Sequence, residues 1–270
     1  VSFLEGTLTT IALCWRIERR DGIALGLTDH DRDLLIDGLV HRAAPGMTPS
    51  AIRRSDGLDA DTMDITGALT SAAITEADLL AGRWDGARVT LFAVDWSGAD
   101  PTRVPLGIGT IGAVETQQQG FTAELRGASA ALERPVVELT SPECRAELGD
   151  VRCRVPLAGR RRMQRVIGVD GQTVTLDAVE PSGDAYGGGL LRWIGGANSG
   201  LQAAIAGSDG ARVTLRSDPA SPVSAGDLVE LIEGCDKSLA TCAARFGNAA
   251  NFRGEPYLPG IDLLTRYPGA

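Results

Sequence analysis

Thiols are the side chains in this sequence best placed to do chemistry. Four of the five cysteines fall into two local pairs. Cys144 and Cys153 lie in S-P-E-C-R-A-E-L-G-D-V-R-C, and Cys235 and Cys242 lie in G-C-D-K-S-L-A-T-C. Three readings are open. Two disulfides would suit a secreted chain. However, V-S-F-L-E-G-T at the start lacks the basic and apolar regions of a Sec leader, and 270 residues suffice to fold without staples. Four unrelated buried thiols are the plainest reading, because cysteine packs as a small hydrophobe. A shared site, with all four thiolates on one Zn²⁺ or one iron–sulfur cluster, is the third. The intervals of eight and six residues within the pairs are wide for a zinc knuckle. They suit a larger inorganic core held by wider loops. Cys14 stands outside both pairs and is read as a core residue.

Other candidate chemistry is thinner. T-D-H-D-R-D at 28–33 brings Asp29, His30, Asp31 and Asp33 together, but Leu34-Leu35 stands where a calcium loop of the EF-hand type needs other residues. The segment reads as a turn between strands. His30 and His41 are the only histidines, which excludes a histidine-rich metal centre. No G-x-S-x-G elbow, H-E-x-x-H, Rossmann fingerprint or P-loop occurs. Carboxylates are plentiful, yet no motif fixes a catalytic pair. An iron–sulfur oxidoreductase or a redox-sensing protein is therefore the rival to a non-enzymatic structural role. Arg160–Arg162 read as a solvated loop.

The elements that must position the cysteines are mostly strands. Residues 3–16 carry Leu4, Leu8, Ile11 and Trp15 at helical spacing and read as an amphipathic helix. Asp21-Gly22 turns into a strand at 23–28, and Asp37-Gly38 turns a hairpin over 33–42. Residues 45–50 read as loop and 51–69 as further β structure. Residues 74–82 form a short helix capped by Thr75, with Asp78 at its third position and Gly82 at its end. Residues 87–95 form a buried strand, 97–105 a Gly/Pro loop and 108–127 a hairpin turning at 117–120. Residues 128–138 begin as a short helix that Pro135 ends. Beyond the first cysteine loop, strands are expected at 163–170, 172–179, 189–195, 200–207, 211–216 and 227–234. The last of these delivers Cys235, and Cys242 follows nearly two helical turns on. The 81 residues between the pairs must fold back on themselves for the pairs to meet. Arg145 and Arg245 are expected to offset thiolate charge. Residues 246–270 read as an extended arm suited to wrapping a neighbour.

Composition fits this map. Glycine is abundant at 34 residues, aromatics make up 4%, and the net charge is −9. The expected class is mainly β, with small barrel- or sandwich-like domains, short helices and a cysteine-bound region. Two domains are expected, 1–134 and 135–270. No stretch approaches the ~18 apolar residues of a membrane helix, so no stable membrane insertion is expected. The acidic balance argues against extensive phosphate-backbone binding.

Residues 234–260 resemble the C-terminal signature of the tail-hub proteins of long-tailed phages and gene transfer agents. The first half is carried by Gly234, Cys235, Asp236, Lys237, Thr241 and Cys242. The second is carried by Arg245, Phe246, Asn248, Asn251, Phe252, Gly254, Pro259 and Gly260. The run at 141–153 resembles the upstream motif of the same family. F-L-E-G-T-L-T-T at 3–10, L-G-L-T-D-H-D at 25–31 and L-L-A-G-R-W-D-G-A-R-V at 79–89 extend the resemblance over nearly the whole chain. It implies a homotrimeric ring at the tail tip, made in the bacterial cytoplasm and built into the particle. It implies partners: a distal tail protein, a central fibre or host-contact protein, a tail peptidase and a tape-measure protein. DNA would pass through the lumen without sequence-specific binding. It also implies a [4Fe–4S] cluster on Cys144, Cys153, Cys235 and Cys242, as in the similar tail-tip protein of phage lambda, with Zn²⁺ as the alternative.

Overall fold

The computed structural model describes residues 10–43, 48–49, 62–68, 74–98, 103–117, 120–127, 130 and 137–258. The chain divides into two compact units, Val1–Val136 and Val137–Ala270. Both are mainly β, with short helices only.

The first unit is organised by a strand that buries both of its faces. β1 (Ile11–Glu18) pairs antiparallel with β2 (Ala24–Thr28) on one side and with a later strand on the other. The sequence reading made this segment part of a helix, and that is corrected. Apolar residues are needed at both parities when both faces are buried, so Ala12, Leu13, Cys14 and Trp15 run together and imitate helical spacing. Residues 3–9 of that expected helix lie outside the described residues.

Asp29–Asp33 then turn the chain, as expected, into β3 (Leu34–Ile36) and β4 (Leu39–Ala43). Asp37 and Gly38 both take positive φ in that hairpin turn. β4 lies parallel to β2, with Gly26 opposite His41. A side chain at Gly26 would stand 2.7 Å from the Val40 carbonyl, so this close pairing needs glycine. β5 (Thr48–Pro49) is a short strand where a loop was expected, and β6 (Thr62–Ala68) matches part of the expected β segment. Residues 50–61 lie outside the described residues.

α1 (Glu76–Leu80) starts as its sequence requires: Thr75 accepts the Asp78 N–H at 3.1 Å and Gly82 takes φ +72 just past the end. β7 (Arg88–Asp95), β8 (Arg103–Gln117) and β9 (Gly120–Arg126) follow. β8 begins inside the expected Gly/Pro loop, because Val104 and Pro105 pair with Ala93 and Phe92 across a register shift. The short helix expected from residue 128 falls almost wholly outside the described residues.

The nine strands form one sheet in the order β3-β4-β2-β1-β7-β8-β9-β6-β5. One face packs Trp15, Ile17, Leu27, Leu91, Ile111 and Leu125 with Leu79 and Trp84 from the α1 region. The other packs Ala12, Cys14, Ile36, Phe92 and Val94. The registers Trp15↔Leu91 and Cys14↔Phe92 place successive cross-strand pairs on opposite faces.

The second unit closes on itself. β10 (Arg161–Asp170), β11 (Thr173–Leu176), β12 (Leu190–Trp193), β13 (Gln202–Asp209), β14 (Arg212–Leu215) and β15 (Leu228–Ile232) form a closed antiparallel barrel in the order β10-β11-β14-β13-β12-β15. Alternate residues point inward and fill it: Val166, Val174, Leu191, Trp193, Ile205, Val213, Val229 and Leu231, with Tyr186 added from a loop. β10 serves two neighbours, pairing β15 through Arg161–Arg165 and β11 from Val166 onward, with a register shift between Val166 and Gly168. β13 shifts likewise between Ile205 and Gly207. These bulges let long strands bend around the closure. The Asp170-Gly171 and Asp209-Gly210 turns join β10 to β11 and β13 to β14, each with glycine at positive φ. Arg161 and Arg162 belong to β10, so the arginine run is not a loop. α2 (Leu239–Ala244) follows the barrel, and a 3-10 turn covers Ala249–Asn251. Among the described residues no helix is long and apolar enough to cross a membrane.

Candidate four-thiol site

The site lies in the second unit. Cys144 and Cys153 occupy the loop that precedes β10. Cys235 follows β15, and Cys242 sits inside α2, buried. All five cysteines are free thiols, so neither local pair is a disulfide.

Each cysteine segment is fixed by its own local chemistry. In the first loop, burial alone would raise the Asp150 carboxyl. The backbone N–H groups of Cys153, Glu147 and Arg152, at 2.6, 3.0 and 2.9 Å, outweigh that and hold it below its ordinary value. That carboxylate shapes the turn that presents Cys153. In the second segment, Asp236 accepts from Thr241 Oγ1 at 2.6 Å and from the Ser238 backbone at 2.9 Å, and Ser238 Oγ caps α2 through the Thr241 N–H. Cys242 therefore rides on a helix whose start is tied back to the residue after Cys235.

Three straps join the segments. Lys237, at φ +63, donates its backbone N–H to Cys235 Sγ at 3.4 Å, and its carbonyl accepts the Cys144 N–H at 2.9 Å. Its Nζ reaches the Ala146 carbonyl at 2.7 Å and Glu147 at 3.0 Å. Asn248 donates to the Cys153 carbonyl at 2.7 Å, while its own N–H reaches the Cys242 carbonyl at 3.0 Å. Arg253 donates its N–H to Cys144 Sγ at 3.4 Å and accepts from the Arg145 N–H at 3.0 Å.

Glycines permit the approach. A side chain at Gly234 would stand 1.9 Å from the Gly187 carbonyl, and one at Gly254 would stand 2.6 Å from the Glu143 carbonyl. The first packs the Cys235 segment onto Gly187–Gly189, and the second lays the tail on the Cys144 loop.

The four thiols are gathered. Burial raises the Cys242 thiol, and the neighbouring Cys235, Cys144 and Cys153 raise it further. Cys235 is raised by burial first, partly opposed by the Lys237 N–H. Cys153 and Cys242 are buried, whereas Cys144 and Cys235 are half-buried. Cys235 lines a groove of about 740 Å³ shared with Glu143, Asp184, Arg216, Lys237 and Arg245. Among the described residues, no group of three or more His, Cys, Asp or Glu side chains is arranged to hold a metal ion. Each of the other three thiols acts electrostatically on Cys242.

Two expectations are corrected. Arg145 makes a paired contact to Glu255, at 2.6 and 2.8 Å, and a further one to Glu138. That pairing pushes its guanidinium further up and holds Glu255 at about 2. Arg245 bonds Glu233 at 3.0 Å and the Ala185 carbonyl at 2.8 Å, and it lies over Phe246 with Arg160. Both arginines are committed to carboxylates, and the groups that touch sulfur are backbone N–H groups and the Asn248 amide. Residues 246–258 of the expected arm make contacts to the first cysteine loop. Glu255 exchanges backbone bonds with Ser141, its N–H reaching the Ser141 carbonyl and its carboxylate accepting the Ser141 N–H at 2.9 Å. Residues 259–270 lie outside the described residues. The sequence assigns no role to Lys237, Asn248 or Arg253, although the first two are among the residues that carry the signature at 234–260.

The turn at Asp29–Asp33 gives no second centre. Asp29 accepts the Leu13 N–H at 2.7 Å and Asp33 the Ala43 N–H at 2.8 Å, so both carboxylates serve the backbone.

Comparison with known proteins agrees with this construction. A family model described as "Baseplate hub protein, N-terminal attachment domain" matches residues 1–156. A second, "Phage conserved hypothetical protein BR0599", matches residues 184–262. No curated protein matches the chain. Among solved structures, a chain of "Virion of native gene transfer agent (GTA) particle" is 40% identical with a TM-score of 0.86, covering 99% of this chain and 94% of that one. The chain belongs to the baseplate hub family and is a structural component of a phage-type tail or baseplate. The first family model contains one cysteine pair and the second contains the other.

Proposed function

We propose that this chain is the hub subunit of a phage or gene-transfer-agent tail, assembled as a homotrimeric ring at the distal tip. The observation that carries this reading is the 40% identity, over 99% of the chain, to a protein of a gene transfer agent virion. The ring joins the distal tail protein to the central fibre or host-contact protein, with a tail peptidase and the tape-measure protein close by. Closed cyclic symmetry lets a ring of heterologous contacts end a tube without polymerising. DNA leaves through the lumen, and a net charge of −9 disfavours retention of its phosphates. The role is structural rather than enzymatic.

The four-thiol site is read as the seat of a [4Fe–4S] cluster on Cys144, Cys153, Cys235 and Cys242. Two features support this fit. The donors are four free thiols. Backbone N–H groups of Lys237 and Arg253 already point at two of the sulfurs, a contact that tunes iron–sulfur centres. When bound, such a cluster supplies a rigid four-point crosslink between the loop before the barrel and the helix after it.

Purified particles test both halves. Imaging of the tail tip with mass spectrometry should find this chain in a three-fold ring, and metal analysis of protein prepared without oxygen should give four iron and four sulfide per chain. One zinc and no iron would replace the cluster while sparing the ligands. Absence from particles, together with reversible one-electron reduction coupled to turnover, would favour an iron–sulfur oxidoreductase.

A further inference from the structure

We infer that the outer face of β10, β15 and β12 is a contact surface for a second copy of this chain; the inference rests on the ring reading above. A barrel strand with one face in the core and one in water should alternate apolar and polar residues. The wall made by β11 and β14 does so: Val174, Leu176, Val213 and Leu215 are buried, and Thr173, Thr175, Arg212 and Thr214 face outward. The wall made by β10, β15 and β12 does not. On β15, Val229 and Leu231 fill the barrel, yet Leu228 and Ile232 point outward on either side of Glu230. On β12, Leu191 and Trp193 point inward, and Leu190 and then Ile194 point outward on either side of Arg192.

The registers make these residues one patch. Ile232 is opposite both Leu190 and Arg161, Glu230 is opposite both Arg192 and Met163, and Ile194 is bonded to Leu228 at 2.9 Å. Met163 is 52% exposed, Ile194 42% and Leu190 39%. Five apolar side chains on three neighbouring strands is the pattern of a sheet face built to be covered.

Charge selects the occupant. Glu230 is held between Arg192 at 3.0 Å and Arg161 at 3.8 Å, and Arg165 completes the edge. The face therefore carries three arginines against one glutamate on a chain of net charge −9, so the remaining surface is more acidic than the whole. A second copy offers acidic surface to this patch. Two basic patches laid face to face would repel, so the contact is heterologous, as a closing ring needs.

The test uses the full chain, with sedimentation followed over rising concentration at low and high salt. Wild type is expected to associate. The double variant Met163→Asp/Ile194→Asp should weaken association by about tenfold or more while unit 2 melts as before. Arg165→Glu, a single surface charge reversal, should weaken it at low salt and much less at high salt. Thr175→Asp on the polar wall should change nothing. Variants on both walls that associate like wild type would overturn the proposed face and leave the ring reading standing. A wild-type chain that stays monomeric yet enters particles would overturn the second-copy occupant and give the face to another virion protein. Monomers that are also absent from particles would end the ring reading itself.

Discussion

The two units solve the same problem, a β fold with few aromatic residues, in opposite ways. Among the described residues the first is an open sheet that ends at β3 and β5 and buries apolar residues on both faces. The second closes its sheet, so every strand has two neighbours and a single core fills the inside. An open sheet keeps unpaired edges, while a closed barrel removes them. The second unit is thereby free to spend its ends on something else. The segments leaving both ends of its barrel set meet at the thiols, tied by Lys237, Asn248 and Arg253.

The largest effects should separate the two cores. Trp15 lies in the open sheet and Trp193 inside the barrel, both essentially buried. Trp15→Ala and Trp193→Ala should each cost about 3–5 kcal/mol. In a denaturation followed by probes specific to each unit, Trp15→Ala should move the first transition and Trp193→Ala the second. A shared shift for both variants would break the picture of two separate cores.

The next contrast concerns backbone closeness. Gly234→Ala puts a methyl 1.9 Å from a carbonyl with no flexible side chain to give way, whereas a methyl at Gly107 meets nothing within 4 Å. The first should destabilise the second unit by about 3 kcal/mol or more and release Cys235 from its setting. The second should stay within about 0.5 kcal/mol. Thiol labelling of metal-free protein would read the difference, with faster labelling of Cys235 in Gly234→Ala only.

The cysteines give a third. Cys14, in the first unit, is wholly buried, and burial pushes its thiol up to about 11 against an ordinary 9.0, with Thr28 opposing part of the rise. The folded protein holds that proton more tightly than the unfolded chain. Its contribution to stability is therefore complete below pH 9 and declines as pH rises toward 11. Alkylation at pH 8 should leave Cys14 untouched until the first unit unfolds, while Cys144 and Cys235 react in the metal-free native state. Rapid native labelling of Cys14 would contradict its burial. At the acid end the strap of Glu255 behaves in the reverse sense. Its carboxyl is held at about 2, so the pairing with Arg145 persists above the ordinary 4.5 and is lost as pH falls toward 2.

Sequence patterning made the local features legible and left the long-range ones hidden. The α1 cap, β7, the Asp-Gly turns and the six barrel strands all follow from neighbouring residues. Thr75 and Asp78, or Asp209 and Gly210, carry their own geometry. The helical reading of β1 fails because burial on both faces erases the period-2 signal, and that burial is set by residues distant in sequence, Leu79 and Trp84 on one face and Ile36 and Phe92 on the other. The parallel partnership of β2 with β4 and the closure of β10 on β15 are also nonlocal, and no turn residue announces them. In the thiol site the four cysteines were visible by their pairing, but the straps were not. Arg253 acts through its backbone N–H, which leaves no mark in residue type, and Lys237 acts through its N–H on Cys235 as well as its Nζ on the Ala146 carbonyl. Arg145 and Arg245 looked like counter-charges because sequence places them beside thiols, whereas space places Glu255 and Glu233 nearer.

The smallest predicted effect is the sharpest comparison. α1 and α2 are short helices with the same kind of start: Thr75 caps the Asp78 N–H and Ser238 caps the Thr241 N–H, both at 3.1 Å. Loss of either cap should cost about 1 kcal/mol, since one N–H of the first turn loses its acceptor. The consequences should nevertheless differ. Thr75→Ala loosens a helix that only packs Leu79 into the first core, so the loss should appear as stability of that unit alone. Ser238→Ala loosens a helix that holds Cys242, and it also removes a hydroxyl bonded to Asp236, next to Cys235. In protein carrying the proposed cluster, it should therefore speed the release of iron to a chelator, with little further change in the melting of the barrel. Serine and threonine both cap well, so Ser238→Thr should restore retention. If Ser238→Ala and Thr75→Ala release iron at the same rate, α2 is an ordinary surface helix and the thiols are set by their loops alone.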